Sequence, residues 1–500
     1  MTLATDAQSL LRNPRKFFID GTWVDPSTDA LISVIEPATE DLFLQVSEAR
    51  EADMSRAIQA ARRAFDEGPW PALTHLQRAE YLRALAAGIR ERVAEFAQIW
   101  PRQSGILHNL AQLSLGEVPG IFEFYADLAA TYPFAQPMPT TQGVVPGGKF
   151  GLLIREPVGV VGAIIPWNGP LTLIAYKVAP ALLAGCTVII KASPEAPGEA
   201  YLVAEIAESI GLPPGVINVV TADREVSELL VRDPRVDKIS FTGSTAAGRR
   251  IASICGDRIG RVTLELGGKS AAVILDDADI EMAAMQLAGA ECFLTGQVCG
   301  SLTRIVVPRN RHDDIVAALS GIFSQVQVGN PFDAGVGMGP LAMQRQRDRV
   351  ESYIAKGVAE GATLASGGGR PKGLDRGWFV EPTVFANVEN SSTIAQEEIF
   401  GPVLSVIPAD DEKHAIDIAN DSIYGLNASV FTADPDRALA VARQLRSGTV
   451  GHNALRADFG IAYGGFKQSG LGREGGREGL LPYLESKTVI LDEAPTIYAT

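Results

Sequence analysis

Val158-Gly-Val-Val-Gly-Ala-Ile-Ile165 is followed by a helical apolar pattern over 171–183 and then by Thr187-Val-Ile-Ile-Lys191. The two flanking runs are apolar at nearly every position, as in strands buried on both faces. The alternation continues with a helix over 198–210 and strands over 216–220, 238–242 and 261–265. It predicts an α/β fold built on a parallel sheet covered on both sides. Ligands of such sheets bind beyond the carboxyl ends of the strands. Asn168, Lys191, Gly243 and Glu265 all fall at such ends.

Outward from this core, residues 17–45 read as short strands with a hairpin over 17–23. Helical periodicity covers 48–65 and then 76–99, where Leu82, Leu85, Ile89, Val93 and Phe96 share one face. Pro133, Pro137, Pro139 and Pro146, with Gly143, Gly147 and Gly148, break up 131–150, an excursion that returns in Phe150-Gly-Leu-Leu-Ile-Arg155. A second α/β pattern begins near Gly267, with strands over 271–275, 304–307 and 403–406. Ser486-Lys-Thr-Val-Ile-Leu491 reads as a strand suited to pairing with another subunit.

The 500 residues are 46% hydrophobic and 21% charged, enough to bury sizeable cores. The net charge of −15 disfavours nucleic acid and anionic membranes as partners. Cys186, Cys255, Cys292 and Cys299 form neither a disulfide framework nor a Cys-x-x-Cys metal motif, so no metal is expected. The first ten residues carry no signal-peptide pattern and no apolar run reaches a membrane span, so a cytoplasmic, soluble protein is expected.

Chemistry concentrates in Phe293-Leu-Thr-Gly-Gln-Val-Cys299 and Glu265-Leu-Gly-Gly-Lys-Ser270. A thiol and a carboxylate on glycine-rich loops suit a nucleophile and a base, although a lone cysteine is more often an inert buried thiol. Asn168 is placed either to donate to an oxyanion or to cap the following helix. Lys191 suits ribose or phosphate oxygens, or reaches past the strand end to solvent. Gly243 and Ser244 open a helix whose N-terminus suits a pyrophosphate, or form a plain strand–helix turn. In Glu397-Glu-Ile-Phe-Gly-Pro402 either acid suits a sugar diol; solvated helix-end charges are the commoner use.

In this order and spacing, Pro166-Trp-Asn168, Lys191, Phe241-Thr-Gly-Ser-Thr245, Glu265-Leu-Gly-Gly-Lys-Ser270, Gly296-Gln-Val-Cys299, Glu398-Ile-Phe-Gly-Pro402 and Ser469-Gly-Leu-Gly-Arg-Glu474 resemble the aldehyde dehydrogenase superfamily over nearly the whole chain. The 34-residue separation of Glu265 and Cys299 is similar to that of the hydrolytic members. The resemblance implies a Rossmann-like cofactor domain (1–130 and 156–266), a catalytic domain (267–470) and a β oligomerisation arm (131–155 and 471–500). It implies a homo-oligomer, dimer or tetramer, with homotetramer as the expectation. Cys299 would be the nucleophile and Glu265 the base that activates water. Asn168 and the Cys299 backbone N–H would form the oxyanion hole, with Lys177 and Glu474 on a proton-exit path. The cofactor would be NAD, held by Ile164, Pro166, Trp167, Lys191, Ser193, Gly243, Ser244, Leu266, Glu398 and Phe400. Pro194 stands where many members carry an acid that holds the adenosine ribose, with Glu195 one residue later, so NADP is the alternative.

The implied substrate is an aldehyde, oxidised to the acid through a cysteine thiohemiacetal and thioester. By matched position its tunnel would be walled by Gly169, Leu173, Tyr176, Phe293, Leu294 and Tyr463, with Arg456 and Asp458 at the mouth. Gly169 replaces the bulky residue that often follows the oxyanion Asn, and Leu294 replaces a common Asn. A wide apolar tunnel favours a medium-to-large hydrophobic aldehyde. Alternatives are a semialdehyde acid paired with Arg456, a CoA-acylating relative, which typically lacks the Glu265 base, and a non-catalytic homologue.

Overall fold

The computed structural model describes residues 10–141 and 147–498. Gly143, Pro146 and the first nine residues, on which part of the reading above rests, lie outside them. The first sheet has eight strands in the order Gly470–Leu471, Arg261–Glu265, Lys238–Thr242, Val160–Ile164, Thr187–Ala192, Ile217–Thr221, Phe17–Ile19, Thr22–Val24. Its five central strands, Arg261–Glu265 through Ile217–Thr221, are parallel. Its ends are closed by antiparallel partners, including Glu265 opposite Gly470.

The near-continuous apolar runs are explained by two cores, one on each face. Val161, Ala163, Val188 and Ile190 point to one, Val160, Ile164 and Ile189 to the other. Register brings Ile164 beside Lys191 and Phe241, and Thr242 beside Glu265, so the chemical residues share one sheet edge.

The second sheet has seven strands in the order Thr363–Ser366, Thr383–Ala386, Val403–Ala409, Arg304–Pro308, Ala271–Ile274, Asn427–Phe431, Thr449–His452. Only its Thr363–Ser366 edge runs antiparallel. A third, antiparallel sheet joins Ala135–Met138, Phe150–Pro157 and Leu484–Leu491. The C-terminal strand therefore pairs along one edge with Phe150–Pro157 of its own chain, and only its outer edge is open to another subunit.

The helix expected over 76–99 is two, His75–Glu91 and Val93–Ser104. Arg92 leaves helical geometry (φ −108°, ψ 12°). Its guanidinium turns onto Glu95 and the buried Glu205. Apolar periodicity runs through this break unchanged, so the sequence pattern does not register it. Among the described residues, no helix is long and apolar enough to cross a membrane.

Candidate active site

Helix Ile280–Cys292 ends in a loop that takes left-handed geometry at Thr295 (φ 55°) and Gly296 (φ 69°). A Cβ at Gly296 would lie 2.3 Å from the Gly401 backbone, so only glycine fits. Gln297, fully buried, locks the loop: its amide donates to Leu294 O (2.9 Å) and Ser104 O (3.3 Å) and accepts from Ala342 N–H (2.9 Å). Cys299 is thereby held partly exposed, while Cys186, Cys255 and Cys292 are buried. Desolvation and the carboxylates of Glu398 and Glu265 push its thiol up to about 12; Tyr463 and the Gly300 backbone act in the opposite direction. The Tyr463 hydroxyl lies 4.0 Å from Cys299 Sγ.

Asn168 does not cap the helix Pro170–Ala184, because Gly169 occupies the cap position. The Asn168 amide instead donates to Gln297 O (3.0 Å), two residues before the thiol, and Trp100 Nε1 donates to Asn168 O (2.9 Å). One amide N–H remains for a further acceptor.

Glu265 ends its strand 4% exposed, with neither carboxylate oxygen hydrogen-bonded. Burial and the nearby Glu474 hold its carboxyl well above the usual range, against the opposing charges of Lys177 and Arg473. Lys177 is fully buried and donates to Glu474 Oε1 (2.5 Å) and Thr242 Oγ1 (2.7 Å). Lys177, Glu474 and Thr242 thus form one buried polar chain beside Glu265.

The residues matched to a cofactor divide into two groups. Ile164, Lys191, Ser193 and Ser244 line a cavity of about 480 Å³ at the carboxyl ends of the first sheet. Burial brings the Lys191 ammonium down to about 8, opposed by Glu195 and Asp223. Ser244 Oγ also caps helix Thr245–Asp257 by accepting from Ala247 N–H (3.3 Å). The second group surrounds the Gly267-Gly268 turn. Glu398 accepts from Gly268 N–H (3.2 Å), and burial pushes its carboxyl up to about 7. A Cβ at Gly267 would lie 2.2 Å from Glu398 Oε2. Glu397 faces elsewhere, accepting from the Tyr353 hydroxyl (2.6 Å), so only one acid of the pair turns inward. Trp167 meets Phe400 edge-on at 5.4 Å. Gly243 N–H donates to Glu265 O (3.0 Å), and Leu266 N–H to Ser469 O (2.9 Å).

The sequence reading missed Asp223, Arg224 and Arg345. Asp223 and Arg224 line the cavity just past strand Ile217–Thr221, where the strand-end rule would have found them. Arg345 reaches Glu195 from helix Gln344–Ala359, a long-range ion pair with no local sequence signal. Glu195 also accepts from the Ser193 hydroxyl and lines the cavity.

On the substrate side Leu173, Tyr176 and Phe293 are partly buried. Leu294 is 2% exposed and belongs to the first core, next to the left-handed turn at Thr295 and Gly296. A Cβ at Gly169 would find only Trp100 within 4 Å, at 4.0 Å. Phe459 packs edge-on against Phe124 (6.4 Å) beside the first core. Arg456 and Asp458 are exposed, and among the described residues neither has an ion pair. Among the described residues there is also no group of three or more His, Cys, Asp or Glu that could hold a metal ion.

Residues 23–489 match the sequence profile of the aldehyde dehydrogenase family. The chain is 44% identical over 475 residues to the geranial dehydrogenase of Castellaniella defragrans, covering 95% of this chain and 98% of that one. It is 42% identical over 486 residues to a 3-succinoylsemialdehyde-pyridine dehydrogenase of a Pseudomonas species, covering 96% and 99%. It superposes on the crystal structure of Mycobacterium tuberculosis aldehyde dehydrogenase complexed with NAD+ with a TM-score of 0.93 and 43% identity, covering 97% of this chain and 99% of that one. The chain belongs to the aldehyde dehydrogenase family.

Proposed function

We propose that this enzyme oxidises a medium-to-large hydrophobic aldehyde to its carboxylic acid with NAD, using Cys299 as nucleophile. The observation that carries the reading is the partly exposed Cys299 thiol beside the unpartnered Glu265 carboxylate, at a wall left open at Gly169. The thiolate adds to the carbonyl carbon. The free amide N–H of Asn168 and the Cys299 backbone N–H meet the charge that develops on oxygen. NAD, held beside Cys299, would supply the acceptor for the hydride that leaves the substrate carbon. Glu265 takes a proton from water as that water attacks the thioester, and Cys299 leaves as thiolate. Lys177, Glu474 and Thr242 carry the proton away from Glu265.

The 480 Å³ cavity fits one half of the cofactor: Lys191 and Ser193 would hold the adenosine ribose and Ser244 with its helix N-terminus the pyrophosphate, while Glu398, at the Gly267-Gly268 turn outside that cavity, would hold the second ribose. Pro166, Trp167, Gly243, Leu266 and Phe400 would complete the walls. The relative named for geranial, a hydrophobic aldehyde, supports the substrate class. A second reading, a semialdehyde acid, is favoured by the exposed Arg456, which has no ion pair among the described residues, and by the relative named for a semialdehyde. Glu265 disfavours transfer of the acyl group to CoA.

The same reading assigns 1–130 with 156–266 to cofactor binding, 267–470 to catalysis, and 131–155 with 471–500 to assembly. The open edge of Leu484–Leu491, with Ile490 58% and Met138 43% exposed on the same sheet, supports a homo-oligomer, a dimer or tetramer. Four free cysteines fit the cytoplasm. The test is NADH absorbance with acetaldehyde, hexanal, decanal, a terpenoid aldehyde and succinic semialdehyde, in native enzyme and Cys299→Ala. Decanal or the terpenoid should lead in kcat/KM, and Cys299→Ala should lose activity while still binding NAD. Full activity in Cys299→Ala would overturn the reading.

A further inference from the structure

Among the described residues the Tyr463 hydroxyl has a single hydrogen-bond partner, Cys299 Sγ, 4.0 Å away. A phenylalanine would supply the same apolar wall without placing a hydroxyl in a desolvated site, so the oxygen calls for a separate explanation. The surroundings of the thiol supply one. Glu398 and Glu265 both face it and oppose a thiolate, while the Tyr463 hydroxyl and the Gly300 backbone favour one.

The hydroxyl is also held in place. Tyr463 N–H donates to Glu474 O (2.7 Å) and Glu474 N–H to Tyr463 O (2.8 Å), tying its main chain to the partner of Lys177. On the far side, a Cβ at Gly300 would lie 2.9 Å from Tyr463 Oη and 3.4 Å from Asn427 Nδ2, so glycine leaves the room the phenol occupies. The titratable groups facing Tyr463 are Cys299, Glu265 and Tyr176. Desolvation and these neighbours hold the phenol well above its ordinary range, so it stays protonated and able to donate.

We propose that Tyr463 is a catalytic residue whose hydroxyl donates to the Cys299 sulfur and stabilises the thiolate as it forms and meets the incoming carbonyl. This rests on the reading of Cys299 as nucleophile. The test is the rate of alkylation by iodoacetamide from pH 6 to 10, where the thiolate displaces iodide, with the labelled cysteine identified by peptide mass. A hydrogen bond to a charged group implies that Tyr463→Phe lowers the rate about tenfold at a given pH, displacing the profile by roughly one unit to higher pH. Gly300→Ala, which pushes the hydroxyl aside while keeping the tyrosine, should displace it in the same direction. NAD binding, followed by protein fluorescence, should be retained in both. A purely apolar wall would instead change KM for large aldehydes and leave alkylation alone. Cys299 labelled normally in Tyr463→Phe, with a profile superimposed on the native one, would overturn this role and leave the nucleophile intact. Labelling confined to other cysteines would overturn both.

Discussion

Replacing Lys177 with methionine tests whether the buried chain beside Glu265 works as a unit. Lys177 is fully buried and Glu474 3% exposed, with 2.5 Å between Nζ and Oε1. Methionine keeps much of the volume but leaves the Glu474 carboxylate uncompensated in the interior, which costs about 3–5 kcal/mol. Lys177→Met/Glu474→Gln carries no such charge and should recover most of that loss, giving a coupling of similar size in a double-mutant cycle of unfolding midpoints. The kinetic consequence is separate. Lys177 opposes the upward pressure on Glu265, whereas Glu474 adds to it. Glu265 acts as a base only when unprotonated, so thioester hydrolysis rises with pH as its proton is lost. Removing Lys177 raises Glu265 further, and the rising limb of the steady-state pH profile should move roughly one unit to higher pH. In the double variant the limb should move back, because the Glu474 charge is gone as well. Native-like stability together with an unmoved limb in Lys177→Met would refute the reasoning.

Glu265→Gln should still give a pre-steady-state burst of NADH, then turn over at least about a hundredfold more slowly, as expected when general-base help is lost; loss of the burst would assign Glu265 an earlier role. Glu195→Gln should raise the NADP-to-NAD ratio of kcat/KM about 30-fold, since one charge at roughly 8 Å and an effective dielectric of about 20 is worth about 2 kcal/mol, and Arg345 would be released toward a 2′-phosphate; an unchanged ratio in cofactor titrations would count against the ion pair as a selectivity element. Gly169→Phe should cut kcat/KM for decanal at least tenfold while sparing acetaldehyde, because the added ring takes the space now bounded only by Trp100; equal losses across the aldehyde series would dismiss the wide tunnel.

The first sheet was readable because its central strands are short runs rich in β-branched residues that alternate with longer helical patterns. Its order of strands, and the closure of its edge by Gly470–Leu471, was not, since two residues near the C-terminus carry no strand signal of their own. Cys299, Glu265 and Asn168 stood out through the glycines and turns around them. The bond from Asn168 to Gln297 O depends on where two distant loops meet, and no spacing encodes it. How deeply Leu294 sits in the first core was not legible either, because it depends on how the loop around the left-handed turn packs. The break at Arg92 was hidden for a similar reason: hydrophobic periodicity reports which face is buried, whereas a salt-bridged arginine can redirect the backbone without altering it.

Residues 463–474 contribute the phenol beside Cys299, the carboxylate paired with Lys177, and the strand opposite Glu265. In synthesis Glu265 and Cys299 are made well before this segment exists. A nascent chain halted anywhere between them would carry the nucleophile and the base without the groups that set their protonation. The thiol of such a chain should titrate as an ordinary exposed cysteine, below the value that burial gives it in the folded chain. The arrangement of acid, thiol and phenol therefore exists only once the late segment has returned onto the first sheet.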